Sequence, residues 1–198
     1  MCIKPITIRY SEKYKKYRGT LIHPYNQGQI LPCGKCHECA QLKVEEWQIR
    51  WEEQLKTSLP NSSYMLTLTY DDNHLPTLIT PDGEEKSTLN FDGLTKFFKR
   101  LRKKQSKIEN APKISYHACG EYGTRFTKRP HYHVLITNLI LSPEEIELIW
   151  KNGKVHVGDN VTSNTIKYVL KYTLKNSFEN RESKVEVYQE DIKTVKFL

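Results

Sequence analysis

The sequence predicts an α+β domain on the split βαβ plan (ferredoxin- or RRM-like), an antiparallel sheet with helices on one face, carrying an N-terminal Cys-rich helical extension. Three observations predict it. Strand-like runs occupy 64–70, 114–119, 131–137 and 155–161, the first alternating with the period of two that a half-buried strand requires. Apolar residues three and four apart mark helices at 92–104 and 143–152, the spacing that buries one helix face. The resulting order, strand, helix, strand, strand, helix, strand, is that of the split βαβ plan. The expected division is 1–60 for the Cys-rich segment and long helix, 61–176 for the core with a last helix, and 177–198 for a charged terminal segment.

Taken in order, Ala40, Val44, Trp47, Trp51 and Leu55 recur at helical steps between Cys36 and Leu59, which predicts a long amphipathic helix. Asp71-Asp72-Asn73 ends the strand begun at Tyr64. Pro81-Asp82-Gly83 is a turn signature inside 77–87, an exposed excursion or hairpin. Leu94, Phe97, Phe98 and Leu101 form the apolar stripe of the next helix, while lysines and arginines crowd its remaining surface. The strands at 114–119 and 131–137 make a long-looped hairpin. Ser142-Pro143-Glu144-Glu145 offers an N-cap, a proline at the first helical position and a capping-box glutamate, and Gly153 stops that helix. A last helix covers 163–176.

The 198 residues are 37% hydrophobic, enough for one core with a small satellite. Lys and Arg number 31 against 23 Asp and Glu, a formal charge of +8, so a polyanion is the expected partner, nucleic acid ahead of a membrane surface. No apolar run approaches the roughly 18 residues of a spanning helix, and the start MCIKPITIRY lacks the apolar stretch of a signal peptide. The expectation is a soluble, unexported protein. No G-x4-G-K-[ST] phosphate loop is present, which argues against chemistry driven by nucleotide hydrolysis. Five cysteines, three of them in PCGKCHECA, fit metal or plain thiols in a reducing compartment better than a disulfide framework.

Three constellations carry chemistry. His131 and His133, at i and i+2 on a strand, point to one face while Tyr132, Val134 and Ile136 point to the other. Two imidazoles side by side can hold one divalent ion, although two surface histidines are the plain alternative. Glu121, in Cys119-Gly120-Glu121-Tyr122-Gly123, shares parity with His117 and Cys119 and would add a hard oxygen, with His117 as the competing third ligand. Two nitrogens and one carboxylate suit Mg or Mn acting on phosphate oxygens. On the last helix Ile166, Val169, Leu170, Thr173 and Leu174 share one side, and Tyr168, Lys171, Tyr172 and Lys175 the other. Each phenol is followed three residues on by an ammonium group, which favours the phenolate and can hold a phosphate oxygen, as a tyrosine nucleophile on a phosphodiester requires. A solvated helix face is the alternative.

Taken together these residues resemble the HUH endonucleases that initiate rolling-circle replication, and most closely the initiators of small single-stranded DNA phages, the microviruses. The His-hydrophobic-His motif is His131-Tyr132-His133, the two-tyrosine motif runs from Tyr168 to Lys175, and Leu66-Thr67-Leu68-Thr69-Tyr70 is similar to the family's first motif. Cys2, Pro32-Cys33-Gly34-Lys35-Cys36-His37-Glu38-Cys39, Trp47-x2-Arg50 and Gly120-Glu121-Tyr122-Gly123 resemble the gokushovirus type. The resemblance spans residues 2 to 176. It implies an HUH endonuclease domain in which a divalent metal (Mg or Mn) on His131, His133 and Glu121 polarises the scissile phosphate. It further implies attack by Tyr168 or Tyr172, with a 5′-phosphotyrosine and a free 3′-OH as products. The implied partners are a single-stranded DNA origin and the host replication helicase and polymerase, in the host bacterial cytoplasm with no membrane association. A non-catalytic single-stranded nucleic-acid-binding module of RRM-like fold is the rival.

Cys33-x2-Cys36-x2-Cys39 supplies three close sulfurs, and Cys2 would complete a tetrahedral structural zinc site; reduced thiols are the alternative. Lys43 stands where a ferredoxin-like run would need a fourth cysteine. Lys99, Arg100, Arg102, Lys103 and Lys104, with Lys128 and Arg129 beside the histidine strand, are candidate phosphate contacts that would raise affinity without specifying sequence. Tyr122 and Phe126 are candidate stacking platforms for unpaired bases.

Overall fold

A computed structural model describes residues 2–3, 6–8, 29–34, 36–123 and 128–171, so Phe126, Tyr172, Lys175 and the charged segment 177–198 lie outside the described residues. The chain divides into two compact units, Met1–Glu46 and Trp47–Leu198. In the first, β1 (Ile6–Ile8) pairs antiparallel with β2 (Gln29–Leu31) in the register Ile6 to Leu31. The sequence shows neither strand, because three residues are too few to display alternation. Their pairing returns the chain so that Cys2, just before β1, meets Cys33, just after β2. Helix α1 (His37–Thr57) follows at once.

In the second unit a four-stranded sheet is built from β3 (Tyr64–Thr69), β6 (Ser115–Tyr122), β7 (Pro130–Thr137) and β8 (Val155–Asn160), in the spatial order β6-β7-β3-β8. All neighbours are antiparallel. The excursion after β3 is a hairpin of β4 (Thr77–Ile79) and β5 (Glu85–Ser87), and its Ile79 is 75% exposed. Helix α2 (Phe91–Gln105) starts at Asn90, whose side chain accepts from the amide of Gly93. Helix α3 (Pro143–Trp150) carries the expected capping box between Ser142 and Glu145. A further helix, α4, runs over 163–171 among the described residues; the amide of Thr165 donates to the Thr162 hydroxyl at its start.

Period-two alternation decides which side chain faces which layer. Leu66, Leu68, Tyr132, Val134, Ile136, Tyr116 and Ala118 turn to one face and pack with Leu94, Phe97, Phe98 and Leu101 of α2 and Ile146 and Trp150 of α3. Each such fully buried large side chain contributes roughly 1.5–3 kcal/mol. Trp150 is fully buried and donates its Nε1 hydrogen to the Thr69 carbonyl at 2.9 Å, which ties α3 to the end of β3.

The expectation of helices on one face only requires correction. The second face carries His117, Cys119, Leu135 and His133, all buried, and helices reach it too. The ring of Trp47 on α1 lies 5.9 Å from that of His117, and the Cys119 thiol donates to the Val169 carbonyl of α4. An amphipathic stripe says that a helix is covered on one side, not which sheet face covers it. Strand β6 also runs three residues further than the sequence predicts, which places Glu121 in the ladder rather than in a turn. Among the described residues no helix is long and apolar enough to cross a membrane.

Candidate active site

The site is built on the β6–β7 hairpin. Glu121 stands opposite His131 and Cys119 opposite His133, so Glu121, His131 and His133 share the second sheet face at its open end. Their ligand atoms all lie within 4.8 Å of one another. The Glu121 Oε2 atom is 3.4 Å from His133 Nε2 and 3.6 Å from His131 Nε2, and the two imidazole rings are perpendicular, 5.0 Å apart.

The remaining ring nitrogens fix the orientation. His131 Nδ1 lies 3.2 Å from the Arg129 carbonyl, which only accepts, so Nδ1 carries the hydrogen and Nε2 presents its lone pair toward Glu121. His133 Nδ1 lies 3.3 Å from the Thr67 hydroxyl. Burial, with His131 alongside, lowers the His133 pKa to about 4, so its ring is neutral near pH 7, the form that binds cations. Arg129 is itself anchored, donating to the Tyr70 carbonyl at 3.0 Å and to Asp72 at 2.5 Å. Oriented nitrogens, a facing carboxylate and outer partners for both rings make a donor set that fits a divalent cation.

Tyr168, on the first described turns of α4, is 43% exposed, and its ring stands edge-on to His133 with centroids 5.6 Å apart. Ile166, Val169 and Leu170 are buried while Lys171 is exposed, the two-sided helix that its spacing predicts. Beneath it the Cys119 thiol donates to the carbonyls of Val169, at 3.7 Å, and His133, at 3.8 Å. Tyr132, between the two histidines, faces the opposite way; it is fully buried, its hydroxyl accepts from the Asn90 amide, and burial pushes its ionisation up.

His117, the competing ligand, is not among the three that converge. It sits two rungs deeper, 3% exposed and against Trp47, with burial lowering its pKa to about 4. The α2 cations are also elsewhere. That helix packs on the other sheet face, where Arg100 donates to the carbonyls of Ile149 and Trp150 at the end of α3, Arg102 covers the Tyr116 ring at 4.9 Å and Lys104 pairs with Glu145. Lys99 and Lys103 are exposed on the same helix. Lys128 and Arg129 flank the histidine strand. Tyr122 is 42% exposed, and its hydroxyl accepts from the Leu89 amide. Sequence reasoning misses Thr67 and Cys119 as supports of the site; the polar threonines alternating with leucines in β3 are the available signal for Thr67.

In the first unit, Cys2, Cys33, Cys36 and Cys39 bring four Sγ atoms within 4.8 Å of one another. Burial and the neighbouring thiols hold the Cys39 thiol up at about 12.

Residues 63–177, which include every strand and helix of the four-stranded core, match the family of the phage replication-associated protein ORF2. The chain belongs to that family. Similar curated proteins are the replication-associated protein VP4 of Bdellovibrio phage phiMH2K, 30% identical over 85% of this chain and 56% of its own length, and the replication-associated protein ORF2 of Spiroplasma virus 4, 30% identical over 73% of this chain and 46% of its own. The replication-associated protein ORF4 of Chlamydia phage 1 is 28% identical over 70% of this chain and 36% of its own. The chain therefore spans about half the length, or less, of these relatives. No solved structure matches it. Family membership agrees with the resemblance to phage replication initiators read from the motifs.

Proposed function

We propose that this chain nicks and rejoins single-stranded DNA at a phage replication origin through a 5′-phosphotyrosine, the reaction of an HUH endonuclease that starts rolling-circle replication. The observation that carries the reading is the convergence of Glu121, His131 and His133 within 4.8 Å beneath a half-exposed Tyr168. The strand order β6-β7-β3-β8 and the helix order support the split βαβ fold of that class.

A divalent cation, Mg or Mn, on the three donors would act as a Lewis acid toward the non-bridging oxygens of the scissile phosphate. Tyr168 supplies the nucleophile: its Oη forms a bond to phosphorus, the bond from phosphorus to O3′ breaks, the phenolic proton is released and the departing 3′-oxygen takes one up. Lys171, one turn on, favours the phenolate and offers a charge to the phosphate. Because the phosphotyrosine conserves the phosphodiester's energy, the regenerated 3′-OH rejoins the strand without nucleotide hydrolysis. Tyr172 would provide the second attack at the end of a round, with Lys175 as its companion. The setting is the bacterial cytoplasm, with the host helicase and polymerase extending the released primer.

The test is a denaturing gel of the protein with single-stranded DNA of its own replicon, with Mn and with chelator. A metal-dependent covalent adduct, lost in the double variant Tyr168→Phe, Tyr172→Phe, is expected. Salt-sensitive binding without adduct would overturn the reading in favour of a non-catalytic single-strand-binding module.

A further inference from the structure

We infer that Cys2, Cys33, Cys36 and Cys39 form a second, separate metal site, a closed tetrathiolate that holds one structural zinc ion. The reading is independent of the proposed nicking reaction and goes beyond it.

Geometry carries the inference. Four sulfurs around a zinc at about 2.3 Å must stand about 3.8 Å apart along the edges of the tetrahedron. Cys36 Sγ lies 3.8 Å from Cys2 Sγ, and Cys33 Sγ lies 3.9 Å from Cys39 Sγ, while all four fall within 4.8 Å of one another. Thiols brought together for disulfide exchange would need only a pair, approaching to about 2.05 Å; here none of the four is joined in a disulfide and every one has a place in the cluster.

The backbone is arranged for anionic sulfur. The amide of Cys36 donates to Cys33 Sγ and the amide of Cys33 donates to Cys2 Sγ, both at 3.3 Å, the outer contacts that orient and stabilise thiolate ligands. Gly34, at φ 68°, makes the turn that lets the Cys36 amide face back onto Cys33. The last ligand, Cys39, stands in the first turn of α1 and is 7% exposed, and all four positions are sulfurs, so no open coordination site remains for a substrate. A closed site of this kind is structural rather than catalytic.

Donor softness separates this site from the other. Thiolates select zinc, whereas the carboxylate and imidazoles of Glu121, His131 and His133 accept harder ions. The two sites therefore answer to different reagents. The β1–β2 ladder explains why Cys2 takes part despite its distance in sequence: the register Ile6 to Leu31 carries the chain's start back to the knuckle. Zinc then closes a loop from 2 to 33, a constraint that acts on the unfolded chain.

The experiment is metal analysis of the full-length protein purified without added metal and dialysed against EDTA. About one zinc per chain is expected, released by p-hydroxymercuribenzoate and retained in the Cys119→Ala and His131→Ala variants. Cys36→Ser should reduce zinc at least fivefold. Should that variant fail to fold, the wild-type protein reconstituted with Co(II) decides the matter, since four thiolates give intense sulfur-to-cobalt bands with tetrahedral d–d transitions. Iron in place of zinc, a disulfide within the cluster by mass spectrometry, or a cobalt spectrum without tetrahedral features would each overturn the inference. Loss of nicking activity with zinc retained would count against the nickase reading alone.

Discussion

The Thr67 hydroxyl lies 3.3 Å from Nδ1 of His133, its direct partner across the β3–β7 ladder. The ring is thereby held from behind while Nε2 faces Glu121. Under the proposed cation chemistry, Thr67 is a positioning residue acting through His133. Thr67→Val, which keeps the shape and removes the hydroxyl, should weaken Mn binding about tenfold while Thr67→Ser restores it. Isothermal titration of Mn into the three proteins checks this, and unchanged affinity in the valine variant would remove the role.

Acid should destabilise the protein through His117. Burial lowers its folded pKa from 6.5 to about 4, so above pH 6.5 both folded and unfolded states hold it neutral and its contribution is fully present. As pH falls below 6.5 the unfolded chain binds a proton that the folded ring refuses, and stability drops until about pH 4. The span corresponds to about 3 kcal/mol. Urea titrations at pH 7 and pH 4 should show wild type losing about that much more than His117→Phe; equal losses would mean that the ring finds a proton partner in the folded state.

Gly153 is where the chain cannot accept a side chain. Its φ is 148°, and a Cβ there would collide with the Thr69 carbonyl and stand 2.5 Å from the Asp71 nitrogen, all backbone atoms with no freedom to move aside. Gly153→Ala should cost more than about 3 kcal/mol, read as a shift in the urea midpoint. A loss under about 1 kcal/mol would show that the turn between α3 and β8 is more plastic than its packing implies.

Much of this was legible in sequence because its signals are local. Alternation placed the four core strands, and the same parity put His131 and His133 on one face before any coordinates. The helix of Tyr168 showed its buried and open sides by spacing alone. Other features depend on where elements land. Arg100 and Arg102 look like free cations on a basic helix, yet one caps α3 and the other covers Tyr116; nothing within α2 announces those partners. Cys119 reads as a small buried hydrophobe until the Val169 carbonyl is seen above it. The short strands around Cys2 and Cys33 are invisible because long-range pairing, not propensity, makes them.

The three cation donors lie between residues 121 and 133, on one hairpin closed by its own ladder, whereas Tyr168 reaches them from a different part of the chain. Hairpins close on a microsecond scale, and contacts remote in sequence follow later. The metal cradle and the nucleophile therefore belong to different steps of folding, and in reverse order to different steps of unfolding. A chain whose α4 has come away keeps its grip on the cation while having nothing to cut with. Mild stress would silence such a protein before it ceased to bind metal, which makes cleavage the more sensitive gauge of its integrity.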